Sequence, residues 1–139
     1  METALILVDS SVWIDYYRPQ GSALLKERIQ TELRRGTVAT IGLIVVEVLQ
    51  GAPTPTALAN LQEHFLGYHW LDITQHVWLE AAHLSTRLRR AGLTLPATDV
   101  VIAAAALHYQ CSLWHHDEDF SRMARHESGL HTFVLSSRA

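Results

Sequence analysis

Apolar positions along the chain alternate between short unbroken runs and longer stretches with helical spacing. Residues 4–8 read Ala-Leu-Ile-Leu-Val with no polar member, which predicts a strand buried on both faces of a parallel sheet. A short helix is predicted over 12–17, followed by a turn at Pro19-Gln20-Gly21. Ser22 then caps a helix carrying Leu24, Leu25, Ile29 and Leu33, closed by Arg34, Arg35 and Gly36. Residues 37–40 read as a second strand and 41–49 as a branched apolar helix stopped by Gly51-Ala52-Pro53. A helix over 56–66, an edge strand over 69–73 and a helix from the Thr74 cap to Ala91 follow.

The stretch from Leu93 to Tyr109 organises the rest. Pro96 and Thr98 mark a helix start, with Thr98 as the expected N-cap. Every residue from Val100 to Leu107 is apolar, so no face is left for water and the helix is a buried one. It is far short of the ~20 apolar residues that cross a bilayer. Strands over 112–115 and 131–135, with a short helix between them, complete the chain. Strands alternating with helices imply an α/β fold, a parallel sheet with helices on both sides.

Length and composition narrow the class. At 139 residues one domain spanning 1–139 is expected, able to bury roughly two-thirds of its unfolded surface. Hydrophobic content of 48% argues for a globular chain. Eleven bases against fourteen acids give a net charge of −3, no general pull toward nucleic acid. A single cysteine, Cys111, suits a reducing cytoplasm, and Glu2 with the short 4–8 run is not the pattern of a secretory signal. Arg87, Arg89 and Arg90 crowd a helix end, where they complement the dipole and suit RNA phosphate.

Four acids share a kind of position. Asp9 follows the first strand, Glu47 lies in the helix after the second, Asp99 opens the central helix and Asp117 follows the strand after it. Ligands gather beyond the carboxyl ends of strands in open α/β sheets. Asp9 could serve only as an N-cap, but Ser10 and Ser11 are available for that. Glu47 either points outward or faces a polar cavity holding a cation, since an unpaired buried carboxylate is costly. Gathered carboxylates repel unless protonated or neutralised, and no Lys or Arg lies within two residues of any of the four. All-oxygen ligation points to Mg2+ or Mn2+. Such an ion generates a hydroxide nucleophile and stabilises phosphoryl charge.

Four segments carry a resemblance: Leu7-Val8-Asp9-Ser10-Ser11-Val12-Trp13-Ile14-Asp15, Val46-Glu47-Val48-Leu49-Gln50-Gly51, Asp99-Val100-Val101-Ile102-Ala103-Ala104-Ala105-Ala106-Leu107, and Asp117-Glu118-Asp119-Phe120. In this order the chain resembles the PIN-domain family, and within it the VapC-type toxins of bacterial toxin–antitoxin pairs. The resemblance implies a three-layer α/β/α fold with a central, mainly parallel sheet of about five strands. It implies a Mg2+- or Mn2+-dependent endoribonuclease acting on tRNA or rRNA, with Asp9, Glu47, Asp99 and Asp117 as catalytic, metal-holding residues. Ser10, Ser11, His115 and Asp119 are supporting candidates. A VapB-like antitoxin and a homodimer are the implied partners. The family usually carries Thr or Ser two residues before the fourth acid, where this chain has His115. Asp119 is the alternative fourth acid, though it is expected instead to cap the helix that Phe120 begins.

Other readings remain at this level. An aspartyl-phosphate phosphatase would want an acid two residues after Asp9, where Ser11 stands, and a downstream lysine, where only Lys26 exists. A catalytically silent PIN-like binding module would keep the fold without the chemistry. A zinc site from His108, Cys111, His115 and His116 requires neighbouring strand residues to point the same way, against the alternation of a strand. Asp15 reads as structural or solvated. Val12, Trp13 and Tyr16 read either as a dock for an antitoxin tail or as core.

Overall fold

The computed structural model describes residues 4–135, so Glu2 and both extremes of the 1–139 span lie outside the described residues. Five strands form one wholly parallel sheet in the order β3-β2-β1-β4-β5: β1 (Ile6–Val8), β2 (Val38–Thr40), β3 (His69–Trp70), β4 (Ser112–His115) and β5 (Thr132–Val134). Seven helices alternate with them: α1 (Ser10–Tyr17), α2 (Ala23–Arg35), α3 (Gly42–Leu49), α4 (Pro55–Leu66), α5 (Gln75–Arg90), α6 (Ala97–Tyr109) and α7 (Glu118–His126). Ile6, Leu7 and Val8 are all buried, as the unbroken apolar run requires.

Right-handed crossovers fix the layers. The chain steps β1 to β2 to β3 in one direction, placing α1–α4 on one face. It then returns past β1 to β4 and β5, placing α5–α7 on the other. The packing agrees: α1 contacts α2 and α3, α3 contacts α4, and α6 contacts both α5 and α7. The strand order reverses between β1 and β4, the switch point where open α/β sheets leave a crevice.

Buried Val100–Ala106 make α6 the central helix. Its start differs from expectation. Pro96 is the N-cap, with φ −56° and no side-chain cap bond, and Thr98 lies exposed in the first turn. Proline brings a helix-ready φ but no acceptor, so Asp99 is the first-turn acid beside open N–H groups. The edge strand β3 is also shorter than 69–73: after Trp70 the Leu71 N–H still donates to Thr40 O at 2.9 Å, but the chain then leaves for the Thr74 cap of α5. At the α1–α2 turn a Cβ on Gly21 would stand 2.2 Å from Asp15 O, so only glycine allows that close approach.

Trp13 and Val12 are core residues with no solvent exposure. Trp13 stacks on Tyr17 and Tyr68 with centroids 5.9 and 5.3 Å away, and meets Phe65 edge-on at 5.2 Å. The docking role for Val12 and Trp13 is therefore corrected to packing; among these three only Tyr16 reaches the surface in part. Asp15 is buried too, 2.7 Å from His116 Nε2 and 3.2 Å from Arg18 Nη1, which makes it structural.

Candidate active site

At the switch point the Asp9 N–H still donates to Trp114 O of β4 at 2.9 Å. The two strands thus end side by side. Asp9 is buried and does cap α1, its Oδ2 accepting from the Ser11 N–H at 3.1 Å and from Ser11 Oγ at 2.6 Å. Ser10 and Ser11 do not replace it as the cap; they begin the helix. Ser11 Oγ in turn accepts from the His116 N–H at 3.3 Å, tying the end of β1 to the segment after β4.

Asp117 is the N-cap of α7, its Oδ1 accepting from the Asp119 N–H at 2.9 Å. This reverses the expectation that Asp119 would cap: Asp117 has the extended backbone a cap needs (φ −112°, ψ 126°), while Asp119 is already inside the first turn. Freed from capping, Asp119 presents its carboxylate to the site. Carboxylate oxygens of Asp99, Asp117 and Asp119 lie within 4.8 Å of one another. Arg122, one turn on, approaches Asp119 Oδ1 at 3.7 Å, a half-exposed and distant counter-charge.

Asp9 and Glu47 enter from the opposite face of the sheet, on the α1 and α3 side. The Asp9 charge acts on both Glu47 and Asp99, which makes it the link between the two groups of acids. Glu47 Oε1 is a buried acceptor with no hydrogen-bond partner among the described residues. Burial and then the Asp9 charge hold the Glu47 carboxyl above its usual range, with a Ser10 hydrogen bond pulling the other way. Burial is also the leading cause that pushes Asp99 up to about 7, followed by the Asp117 charge, a hydrogen bond with Asp119 and the Asp9 charge. The Asp99 carboxyl thus holds its proton more tightly than a free one, beside Asp117 and Asp119.

His115 stands where a hydroxyl residue was expected. It is wholly buried, its ring meets Phe120 edge-on at 5.2 Å, and its Nδ1 accepts from the Asp117 N–H at 3.1 Å. Burial pushes its imidazole below the usual range. His115 is thus a neutral acceptor that fixes the backbone of Asp117, the same service a Thr or Ser oxygen would provide. His108 lies elsewhere, beside His76 and Glu80, so the zinc grouping with Cys111, His115 and His116 does not form.

The PIN domain family model matches residues 6–126. The chain belongs to the PIN-domain family. Within it the chain groups with VapC ribonucleases: Ribonuclease VapC11 of Mycobacterium tuberculosis is 31% identical over 124 residues, covering 87% of this chain and 92% of that protein. Solved structures share the PIN architecture at low identity. VapBC2 from Rickettsia felis, bound to a promoter DNA fragment, superposes with TM-score 0.78 at 14% identity over 95% of this chain and 99% of that one. DNA-bound VapBC from Salmonella typhimurium gives 0.75 at 15%, over 95% and 98%.

This PIN domain carries acids that could hold a metal ion. An orphaned buried Glu47 oxygen and a carboxyl raised to about 7 both signal unneutralised negative charge. The clustered donors are all oxygen, the set preferred by hard divalent ions.

Proposed function

We propose that the protein is the toxin of a type II toxin–antitoxin pair, a Mg2+- or Mn2+-dependent endoribonuclease that hydrolyses a phosphodiester bond of tRNA or rRNA. Asp9, Glu47, Asp99 and Asp117 hold the ion, and Asp119 assists Asp99. The observation that supports the reading is the grouping of Asp99, Asp117 and Asp119 beside the end of β4, with the Asp9 charge acting on both Asp99 and Glu47 and with Glu47 Oε1 buried and unpartnered among the described residues. When bound, the ion supplies charge for the scissile phosphate and activates the attacking water. Ser11 orients the Asp9 carboxylate by two hydrogen bonds. His115 holds the Asp117 backbone. The Asp99 carboxyl, raised to about 7, can hold or release a proton at a carboxylate oxygen within the site.

Partners follow the same reading. A VapB-like antitoxin would neutralise the acids with an arginine, whose fork pairs with Asp9 and Asp99 in place of the ion. Trp70, Trp78 and Leu79, exposed along β3 and the start of α5, offer the apolar area for a homodimer. Among the described residues no helix is long and apolar enough to cross a membrane, in keeping with a cytoplasmic toxin. The test is RNA cleavage by chelator-treated protein. Cleavage should return with Mg2+ or Mn2+ and stay absent in Glu47→Gln. Full activity without added ion would contradict the metal role, and full activity in Glu47→Gln would remove that residue from the site.

A further inference from the structure

At the other end of α6 a second group of ligand-type side chains comes together. His76 and Glu80 lie one turn apart on α5, and His108 is in the last turn of α6. His76 Nε2 and His108 Nδ1 each stand 2.8 Å from Glu80 Oε1, and all three donor atoms fall within 4.8 Å of one another. Asp99 is nine residues earlier on the same helix, about 14 Å along its axis, so this cluster is separate from the acids at the switch point.

The frame beneath it is rigid. Val77, Ala81, Leu84 and Leu88 form the buried stripe of α5 on the flank that meets α6. The Tyr109 hydroxyl donates to Asp72 O at 2.6 Å, pinning the end of α6 to the approach of α5. The His108 ring packs edge-on against Tyr109 with centroids 4.8 Å apart, which limits its rotation. All three ligands therefore come from one packed pair of helices, and His76, with a side chain 73% exposed, has the most freedom to adjust.

We propose that His76, Glu80 and His108 form a binding site for a borderline divalent transition ion, Zn2+ being the reference case. Two imidazole nitrogens with one carboxylate oxygen favour Zn2+, Co2+ or Ni2+ over Mg2+. Three protein ligands leave a fourth position for water, and the surface location keeps it accessible. With ligand bonds of about 2.1 Å a tetrahedral ion separates its ligands by about 3.4 Å. The two 2.8 Å contacts need only a small opening, which the exposed His76 allows. A Glu80 that merely accepts from two histidines is the competing account, and it predicts no ion.

The experiment uses the full chain after chelator treatment, with Zn2+ titrated by calorimetry and Co2+ followed by its visible absorption. An Asp99→Asn variant takes one carboxylate from the switch-point acids and so weakens the competing site. Expected is one Zn2+ retained in Asp99→Asn and weakened by at least ~10-fold in both His76→Ala and His108→Ala, the scale on which even outer partners of a metal matter. Co2+ should give a nitrogen-ligated spectrum that Glu80→Gln alters. His76→Gln guards against a folding defect, and circular dichroism confirms each fold. Zn2+ affinity that is equal in wild type, His76→Gln and His108→Ala would overturn the proposal, as would the absence of Zn2+ binding in Asp99→Asn. Loss of Zn2+ in Asp99→Asn with cleavage still abolished would locate the ion at the switch point and leave the ribonuclease reading intact.

Discussion

Replacing Asp99 by Asn isolates the electrostatic cost of gathering these acids. Burial and the neighbouring acids raise the Asp99 carboxyl from 3.8 to about 7. Its folded value lies above its unfolded one, so the folded chain holds the extra proton. The associated stability is complete below 3.8 and is lost as pH rises through about 7. That difference is worth at most about 4 kcal/mol. Asp99 is only part-buried, and solvent screening reduces the figure to about 2 kcal/mol. Asn keeps the shape and its amide can still donate to Asp119, without the charge. Chelator-treated Asp99→Asn should therefore melt above wild type at mildly alkaline pH, by roughly 6 °C for a chain of this size. The two should converge in acid. Added Mg2+ should raise the wild-type melting temperature and do little for the variant, by linkage. Thermal unfolding followed by circular dichroism across that pH range is the assay. Parallel curves for the two proteins, with no convergence in acid, would refute the claim that repulsion among these acids shapes the fold's stability.

Other outcomes follow from individual contacts. Asp117→Ala should abolish RNA cleavage and also cost about 1 kcal/mol through the lost α7 cap, whereas Asp119→Ala should reduce cleavage without that loss; chemical denaturation and cleavage assays on both variants separate the roles. His115→Leu should leave the part-buried Asp117 N–H without its partner and cost about 1 kcal/mol, with His115→Thr restoring cleavage better than His115→Leu if the acceptor at that position is what matters. Trp13→Ala should destabilise by about 3–5 kcal/mol, seen as a lower denaturation midpoint, while the folded fraction keeps its affinity for an antitoxin.

The parallel sheet was legible because its central strands are buried on both faces and so read as unbroken apolar runs, as in Ile6-Leu7-Val8. The central helix was legible for the same reason. What could not be read locally depended on backbone angles or distant partners. Asp117 and Asp119 are both plausible caps, and the choice turns on which one adopts an extended backbone. Pro96 displaced Thr98 as the cap of α6 because the chain entered the helix two residues earlier than the hydroxyl suggested. Trp13 looked available for a partner, but Phe65 and Tyr68, some fifty residues on, enclose it. The His76–Glu80–His108 group drew no reading from the sequence, because His108 is brought to the other two only by α5–α6 packing. Asp9, Asp99 and Asp117 could be located from strand ends and helix starts and Glu47 only from its place inside α3, while Asp119, a supporting candidate in the sequence, comes within 4.8 Å of Asp99 and Asp117 because Asp117 takes the cap.

The most direct test follows Mn2+ occupancy and RNA cleavage in one sample, by electron paramagnetic resonance and product analysis. The rate should rise in step with bound Mn2+ in wild type, while Asp99→Asn and Asp117→Ala, both folded, should bind the ion weakly and cleave about 100-fold more slowly or worse. Undiminished cleavage with no Mn2+ bound, or Mn2+ binding and cleavage unchanged in Asp99→Asn, would contradict an acidic metal centre at the β1/β4 switch point.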